Sequence, residues 1–596
     1  MSNEHAERMG RMQGLSRRAF LGLGATAAVA AGAGLAGCAP QSKADGSSAE
    51  GAGTSAASAP DPSAYTPPFL EKPAEPANVA EEKECDVLVI GLGLAGIAAA
   101  RAAAEAGAKV IGIEKQADVG VVGMAGAFGV VNSKIQQDAG ITWAPKADIV
   151  NQLMKDMCYR PNPVFLNYWY DHSGEAFDWF LEGADYELIP KTADNKQTDN
   201  PNFLRPIFWP PLEGYDYKTE YYPFFHGTIN LNPNMQWGCE NCRDKALAAG
   251  AEFMFSTFAE QLITDESGAV TGTYVHDAKG ETYTRINAKA VCLCTGDIGG
   301  NPEMRHYYAP QADEFASFYS EVDVNGSFCN TGDGHRMGIW AGAHMELGPF
   351  APMTHHMGGA LGVDAFLQLN MEGNRFMNED IPGQNIADQL SRQPASKDPD
   401  LAAKGAKSWQ IFDANWKHEL AAQGTGHGFV NYYIPEEEKD QYATVLEGFA
   451  LGYTTDEMVE GAVTLKADTI EELAEGMGLP VENVKASIER YNELAAKGVD
   501  EDFGKVSSRL FPVDTPPFYA CRFDSAGMLV LMGGLECDTD LHPLNDAGEP
   551  IKGLYVAGNT QGGRYLVEYP VTVGGHSLAC ALTFGKLAGE NAAAGV

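Results

Sequence analysis

Gly91, Gly93, Gly96 and Glu114 stand at a spacing that can bind a dinucleotide. In Gly91-Leu-Gly-Leu-Ala-Gly96 the first glycine permits a tight turn and the second lets the backbone approach a pyrophosphate. The third lets helix and strand pack closely. Free N–H groups at the start of the following helix would face the phosphates, and Glu114 can take the ribose hydroxyls. The elements that must position these groups lie on either side. Cys85 to Ile90 reads as a short apolar strand and Gly96 to Ala106 as an Ala-rich helix. Lys109 to Ile113 reads as a second strand, which delivers Glu114 at its end.

Two further segments have the same strand-then-glycine form. Gly553-Leu-Tyr-Val-Ala-Gly-Asn559 is followed by Gly574-Gly-His-Ser-Leu-Ala579, which opens another Ala-rich helix. The other is Ala290-Val-Cys-Leu-Cys-Thr-Gly-Asp-Ile-Gly-Gly-Asn-Pro-Glu303. Together with the N-terminal fingerprint, from about Cys85 to the C-terminus, the chain resembles the FAD-dependent fumarate reductase and succinate dehydrogenase flavoprotein family, which includes the 3-ketosteroid dehydrogenases. The resemblance implies an α/β protein with a doubly wound, Rossmann-like FAD-binding domain and an inserted α+β capping or clamp domain. It implies an FAD-dependent oxidoreductase acting on CH–CH groups. It places cofactor contacts on Gly91, Gly93, Gly96, Glu114, Lys115, Gly126, Thr295, Gly296, Asp297, Asn559, Gly574, Gly575, Ser577 and Leu578. Members with covalent flavin carry a histidine soon after the first acidic residue. Val121 to Phe128 has none, so non-covalent FAD is expected.

Flavin reduction of an activated C=C bond needs a hydride for the β-carbon, a proton for the α-carbon and donors that polarise the activating carbonyl. Fumarate reductases use an arginine acid fed by a Glu–Arg proton path, with histidines and a second arginine on the two carboxylates. Asn370-Met-Glu-Gly-Asn-Arg-Phe-Met-Asn-Glu379 matches the family's pattern and makes Arg375 and Glu379 family positions. The arginine acid, however, falls at Gly383, and the proton path falls near Gly359 and Gly362. The substrate histidine is replaced in Val530-Leu-Met-Gly-Gly534, and the C-terminal arginine is missing between Tyr569 and Gly575. A dicarboxylate therefore meets no recognisable clamp.

The C-terminal segment instead resembles the ketosteroid dehydrogenases in Glu568-Tyr-Pro570, Gly574-Gly575 and Ala581-Leu-Thr-Phe-Gly585. The resemblance gives Tyr569 the hydroxyl that binds a ketone oxygen, with Gly574 or Gly575 as backbone donor. Arg375, His355 and His356 complete the catalytic candidates, and Arg375, Arg564 or Arg522 could supply a cation for a carboxylate. Adjacent histidines on a strand face opposite ways, so at most one of His355 and His356 should reach the flavin. His576 stands at a helix start, where the dipole disfavours its protonation, and is expected to contact flavin.

Ser16-Arg-Arg-Ala-Phe-Leu21 and the mild Gly/Ala-rich stretch after it read as a twin-arginine signal. Leu35-Ala-Gly-Cys38 matches a lipoprotein cleavage box, which makes Cys38 the membrane anchor. The expected organisation is signal 1–37, flexible linker 38–80, FAD-binding part 350 residues from the start divided as 81–349, clamp 350–519, and FAD-binding part again over 520–596. Helical patterns are expected at Leu465 to Gly478 and Pro480 to Ala496. A net charge of −38 repels nucleic acid and suits docking to a basic electron donor such as a small cytochrome. No C-x-x-C-H occurs, so the donor must be another protein; Cys239-Glu-Asn-Cys242 stays open between disulfide, redox pair and half a metal site, and no metal is expected. The sequence points to an exported, lipid-anchored FAD reductase of a small unsaturated organic substrate, such as an enone or acrylate, ending an anaerobic electron chain. The alternatives are a ketosteroid-type dehydrogenase and a non-catalytic FAD-binding envelope protein.

Overall fold

The computed structural model describes residues 66–596 apart from 121–125, 190–198, 208–213, 221, 315–316, 319, 359–364, 382, 417–418 and 420–463. Arg17, Arg18, Cys38 and most of the linker lie outside the described residues, as do Gly359, Gly362 and part of Val121 to Phe128.

β1 (Val79–Ile90) is charged where it begins and buried from Val87 onward. It runs parallel between β2 (Val110–Ile113) and β10 (Tyr283–Leu293). β7 (Glu252–Met254) adds beyond β2, and β17 (Leu554–Val556) pairs in parallel with the end of β10. An antiparallel arm, β8 (Thr257–Thr264) and β9 (Val270–Asp277), completes the seven-stranded sheet. Such continuous apolar strands need cover on both faces. Part of that cover comes from α1 (Leu94–Glu105) and α9 (His576–Ala594), whose alanines and glycines let the two helices pack on each other. α2 (Lys146–Asp156), α3 (Pro163–Phe180) and α4 (Gln236–Ala248) follow the chain between strands. Asn162 caps α3 by accepting from the Val164 N–H at 3.0 Å. A small sheet, β3 (Ala127–Phe128), β6 (Ile229–Asn232), β5 (Phe203–Pro206) and β4 (Glu187–Leu188), lies in this part of the chain.

A six-stranded sheet is built on one long strand, β16 (Phe518–Met532). β12 (Ala351–Gly358), β14 (Ala406–Phe412) and β15 (Thr464–Ala467) pair with it antiparallel, β11 (Ser317–Phe318) parallel, and β13 (Leu367–Asn370) extends β14. The expected 519/520 seam thus falls inside β16. Phe518 and Ala520 pack with Leu369, Trp409, Val484 and Tyr491 in a separate clamp core, whereas Met528, Leu531 and Met532 join the main core. One strand runs from one core into the other.

The helix expected from Leu465 starts later. Thr464 to Ala467 pairs with β16, and α7 (Ile470–Met477) begins after Thr469, whose hydroxyl accepts from the Glu472 N–H at 3.2 Å. Extended pairing on a buried strand overrides the helical spacing there. α8 (Val481–Lys497) follows as expected. Between β12 and β14 of this sheet lies α6 (Gly383–Ser391), and α5 (Asp333–Trp340) precedes β12. Cys239 and Cys242 are unlinked and fully buried on α4, and burial pushes both thiols up, Cys242 to about 12. They are core residues. Among the described residues no group of His, Cys, Asp or Glu could hold a metal ion, and no helix is long and apolar enough to cross a membrane.

Candidate active site

Ile90, Ile113, Leu293 and Val556 pair in register, so β1, β2, β10 and β17 bring their carboxyl ends to one edge. That edge is where open α/β sheets bind ligands. Gly91 turns there with φ +86°, and a Cβ on it would lie 2.5 Å from the Cys294 carbonyl oxygen. A Cβ on Gly96 would lie 1.8 Å from the Gly91 oxygen, so α1 can approach β1 only with glycine here. Gly93 is the N-cap of α1. A bare backbone cradle at a helix N-terminus fits a pyrophosphate. Glu114, buried at the end of β2, accepts from the Leu92 N–H at 2.7 Å and the Gln116 N–H at 3.0 Å. It thereby ties the glycine turn to β2. A carboxylate has about four lone-pair sites, which leaves room for ribose hydroxyls.

The remaining cofactor candidates divide. Thr295 stitches β10 to the turn after β17: its N–H donates to the Thr560 hydroxyl at 3.0 Å, and the two hydroxyls are 3.1 Å apart. Gly296 follows at φ +80°, and Asn559 stands in the Gly558–Thr560 turn beside them. The Gly126 carbonyl accepts from the Leu231 N–H at 2.8 Å and holds this segment to β6. Two expectations are corrected. Lys115 turns away to α5, where its Nζ pairs with Asp333 at 2.9 Å, so its charge is already matched. Asp297 is fully buried and accepts from the Gly299 N–H at 2.7 Å and the Leu531 N–H at 3.3 Å. Burial pushes it up to about 7. It links the first sheet to β16 and does not face the cradle.

At the other end of the site, Gly575 caps α9 with φ +73°, and its carbonyl accepts from the Gly129 N–H at 3.0 Å. The Gly574 carbonyl accepts from the Thr228 hydroxyl at 2.7 Å. The buried Tyr569 phenol donates to the Ser577 hydroxyl at 2.9 Å, on the first turn of α9. Burial raises its pKa, the Ser577 contacts lower it, and the net shift is upward, so it stays a neutral donor. Leu578 packs partly buried beside it. His576 differs from expectation. Its ring is fully buried, with Nδ1 2.7 Å from the Tyr565 hydroxyl and Trp169 edge-on at 4.4 Å. Burial first, then the charge of Arg564, holds it down to about 3. Its side chain turns into the core, and only its backbone stands at the helix start.

Arg375 is also corrected. It donates to Glu379 at 2.9 Å and to Asp500 at 2.8 Å, over the Tyr491 ring at 4.8 Å. Two buried carboxylates neutralise it inside the clamp, so it is structural. Arg522 is likewise paired, with Asp524 at 2.6 Å. Arg564 is the buried guanidinium that keeps two N–H groups, Nε and Nη1, without a partner; its Nη2 donates to the Gly558 carbonyl. His355 and His356 lie on β12, with His355 opposite Gly527 of β16; their side chains lie outside the described residues. Gly383 opens α6, and Val530 sits on β16 opposite Met353.

Sequence reasoning missed two carboxyl groups beside Tyr569. Glu568 accepts from Asn385 of α6 and is pushed up to about 8, by burial first and then by Asp388 and Asp156. Asp156, at the end of α2, accepts from the Thr572 hydroxyl at 2.9 Å and from Gln152 at 2.6 Å, and burial pushes it up to about 6. Glu568 could have been found beside Tyr569 in its motif. Nothing local marks Asp156, because Thr572 is 416 residues away.

A glycine cradle at the edge of a parallel sheet, closed by a second sheet with its own core, defines an FAD-dependent oxidoreductase acting on CH–CH bonds. The chain belongs to the FAD binding domain family, which matches residues 86–570, and its cofactor is FAD. It is 28% identical to a vinyl phenol reductase of Lactiplantibacillus plantarum over 87% of this chain and 98% of that protein. It is 27% identical to a urocanate reductase of Eggerthella lenta over 86% of this chain and 74% of that one. The structure of a 3-ketosteroid-Δ4-(5α)-dehydrogenase from Rhodococcus jostii RHA1 shares the fold, with a TM-score of 0.61, 21% identity, and coverage of 88% of this chain and all of that one.

Proposed function

We propose that this protein is an exported reductase that adds hydrogen across an activated C=C bond of a small enone or acrylate-like compound, as the last step of an anaerobic electron chain. The observation that carries this reading is Tyr569, a buried neutral phenol held on the first turn of α9. No arginine or histidine of the fumarate pattern stands at Gly383 or Val530 to grip a dicarboxylate. Bound FAD, held without a covalent bond, supplies the hydride from its N5. The protein's residues bind and orient the acceptor. The Tyr569 hydroxyl and the Gly574 or Gly575 N–H polarise its carbonyl oxygen, and the clamp sheet shuts out water. His355 and His356 stand on the strand that enters the clamp. Both relatives named above are reductases of C=C bonds, which supports the reductive direction. Arg17 and Arg18 direct export, Cys38 carries the lipid anchor, and a separate basic protein such as a small cytochrome brings electrons to this strongly acidic surface.

The test is anaerobic. The flavin is reduced chemically and mixed with enones, aryl acrylates, a vinyl phenol and fumarate, and its reoxidation is followed by absorbance. An activated alkene should reoxidise it, with fumarate poor. Reoxidation by none, with FAD still tightly held, would favour an FAD-binding envelope protein. Reduction of oxidised flavin by a saturated ketone, with no alkene reduced, would favour the dehydrogenase.

A further inference from the structure

Hydride addition to an activated alkene also needs an acid, and the family's arginine acid has no counterpart at Gly383. The stretch Leu566 to Thr572 offers a different group. Val567 holds φ +72°, which a β-branched residue adopts only under strain. Its N–H donates to the Pro349 carbonyl at 2.8 Å, at the entrance to β12. Strain of this kind costs on the order of 1–3 kcal/mol and persists where the surroundings impose it, often at active sites. It places Glu568 against α6, where Asn385 donates to its carboxyl and Asp388 faces it. The next residue is Tyr569.

The same stretch reaches a second carboxyl through Thr572, whose hydroxyl donates to Asp156. Asp156 ends α2, and two non-glycine residues just beyond it, Cys158 and Tyr159, hold φ +53° and +60°. Backbone strain therefore brackets both acids. The charged groups around them are Asp388 from α6, Asp156 from α2 and, beside Asp156, Lys155. Among the described residues neither Glu568 nor Asp156 makes an ion pair. Carboxylates grouped in this way cannot all ionise near neutrality, so the group retains a proton.

We propose that Glu568 is the general acid of this site, giving its carboxyl proton to the α-carbon of the acceptor as the hydride reaches the β-carbon. The step rests on the reading of the protein as a C=C reductase. The Glu568 O–H bond breaks and a C–H bond forms at the α-carbon, while the reduced flavin loses two electrons and one hydrogen as hydride. The carboxylate left behind regains its proton from Asp156 by way of the Thr572 hydroxyl. Glu568 is held protonated up to a pH of about 8, so the proton-requiring step should be level below that pH and fall above it.

The test uses the dithionite-reduced holoenzyme under anaerobic stopped flow, with two acceptors. One is the carbonyl-activated alkene that reoxidises the wild type best, and the other is 1-nitro-2-phenylethene. A nitroalkene takes the hydride as a stable nitronate and needs no enzymic proton. Glu568→Gln should slow reoxidation by the carbonyl-activated alkene by roughly 10²-fold or more. It should change reoxidation by the nitroalkene only a few-fold, with FAD content intact. The wild type should also show a carboxylic-acid C=O infrared band that titrates near pH 8 and is missing in Glu568→Gln. Equal loss with both acceptors, or loss with neither, would overturn the proposal. So would a wild-type rate that does not fall between pH 7 and 9.5, a result that needs no variant to fold. If no carbonyl-activated alkene reoxidises the wild type, the reading as a reductase fails and the acid assignment goes with it. If the wild type turns over and Glu568→Gln matches it, the assignment alone fails.

Discussion

The phenol of Tyr569 has one proton to donate, and Ser577 takes it at 2.9 Å. A substrate carbonyl must draw that proton from a neutral serine, which competes only weakly. Tyr569→Phe keeps the ring and removes the donor. It should slow reoxidation by a carbonyl-activated alkene about 10²-fold, as loss of one oxyanion-hole donor does. FAD content, read from the protein-bound absorbance, should not change. A rate within a few-fold of wild type would make Tyr569 a packing residue. Its position was legible from Glu568-Tyr-Pro570 and the glycines after it. The inward turn of His576 was not, because Trp169 and Tyr565 approach it from a distant helix and a separate turn. The match of Lys115 to Asp333 was hidden for the same reason, with 218 residues between them.

Among the elements, the turn holding Arg375 is fixed to the loop after α8 by one guanidinium between two carboxylates. Removing it leaves Glu379 and Asp500 facing each other in a dry core. Arg375→Ala should therefore cost about 3–5 kcal/mol. Urea denaturation followed by tryptophan fluorescence would measure this, and flavin per folded molecule should stay near wild type. A loss of reoxidation rate without a loss of stability would return Arg375 to the catalytic candidates. The strand–turn–helix of β1 and α1 was legible because its spacing and glycines are local. The strand β15 was not. Thr464 to Ala467 has no strand signal of its own and is extended because β16 offers an open edge.

Over the whole molecule, three separated glycine segments point to one fold class, and the sheets join them as that class requires. The divide between the two cores was harder to see, because β16 is apolar throughout and its sequence does not mark where one core gives way to the other. The leader carries its own test. Cys38→Ala, expressed with the intact signal, should move the protein from the membrane fraction to the soluble envelope fraction. Unchanged retention would place the anchor elsewhere.

β12 and β16 are antiparallel neighbours, with Ala351 opposite Met532 and Gly358 opposite Phe523. The chain leaves along one and comes back along the other, so both ends of the intervening stretch emerge side by side. A stretch with adjacent ends behaves as a cassette: recombination between relatives at these two strands could replace it whole while the rest of the chain keeps its course. Tyr569, Glu568 and the glycine cradle all lie outside that cassette. A lineage could thus exchange the wall that selects the acceptor and inherit its redox chemistry untouched.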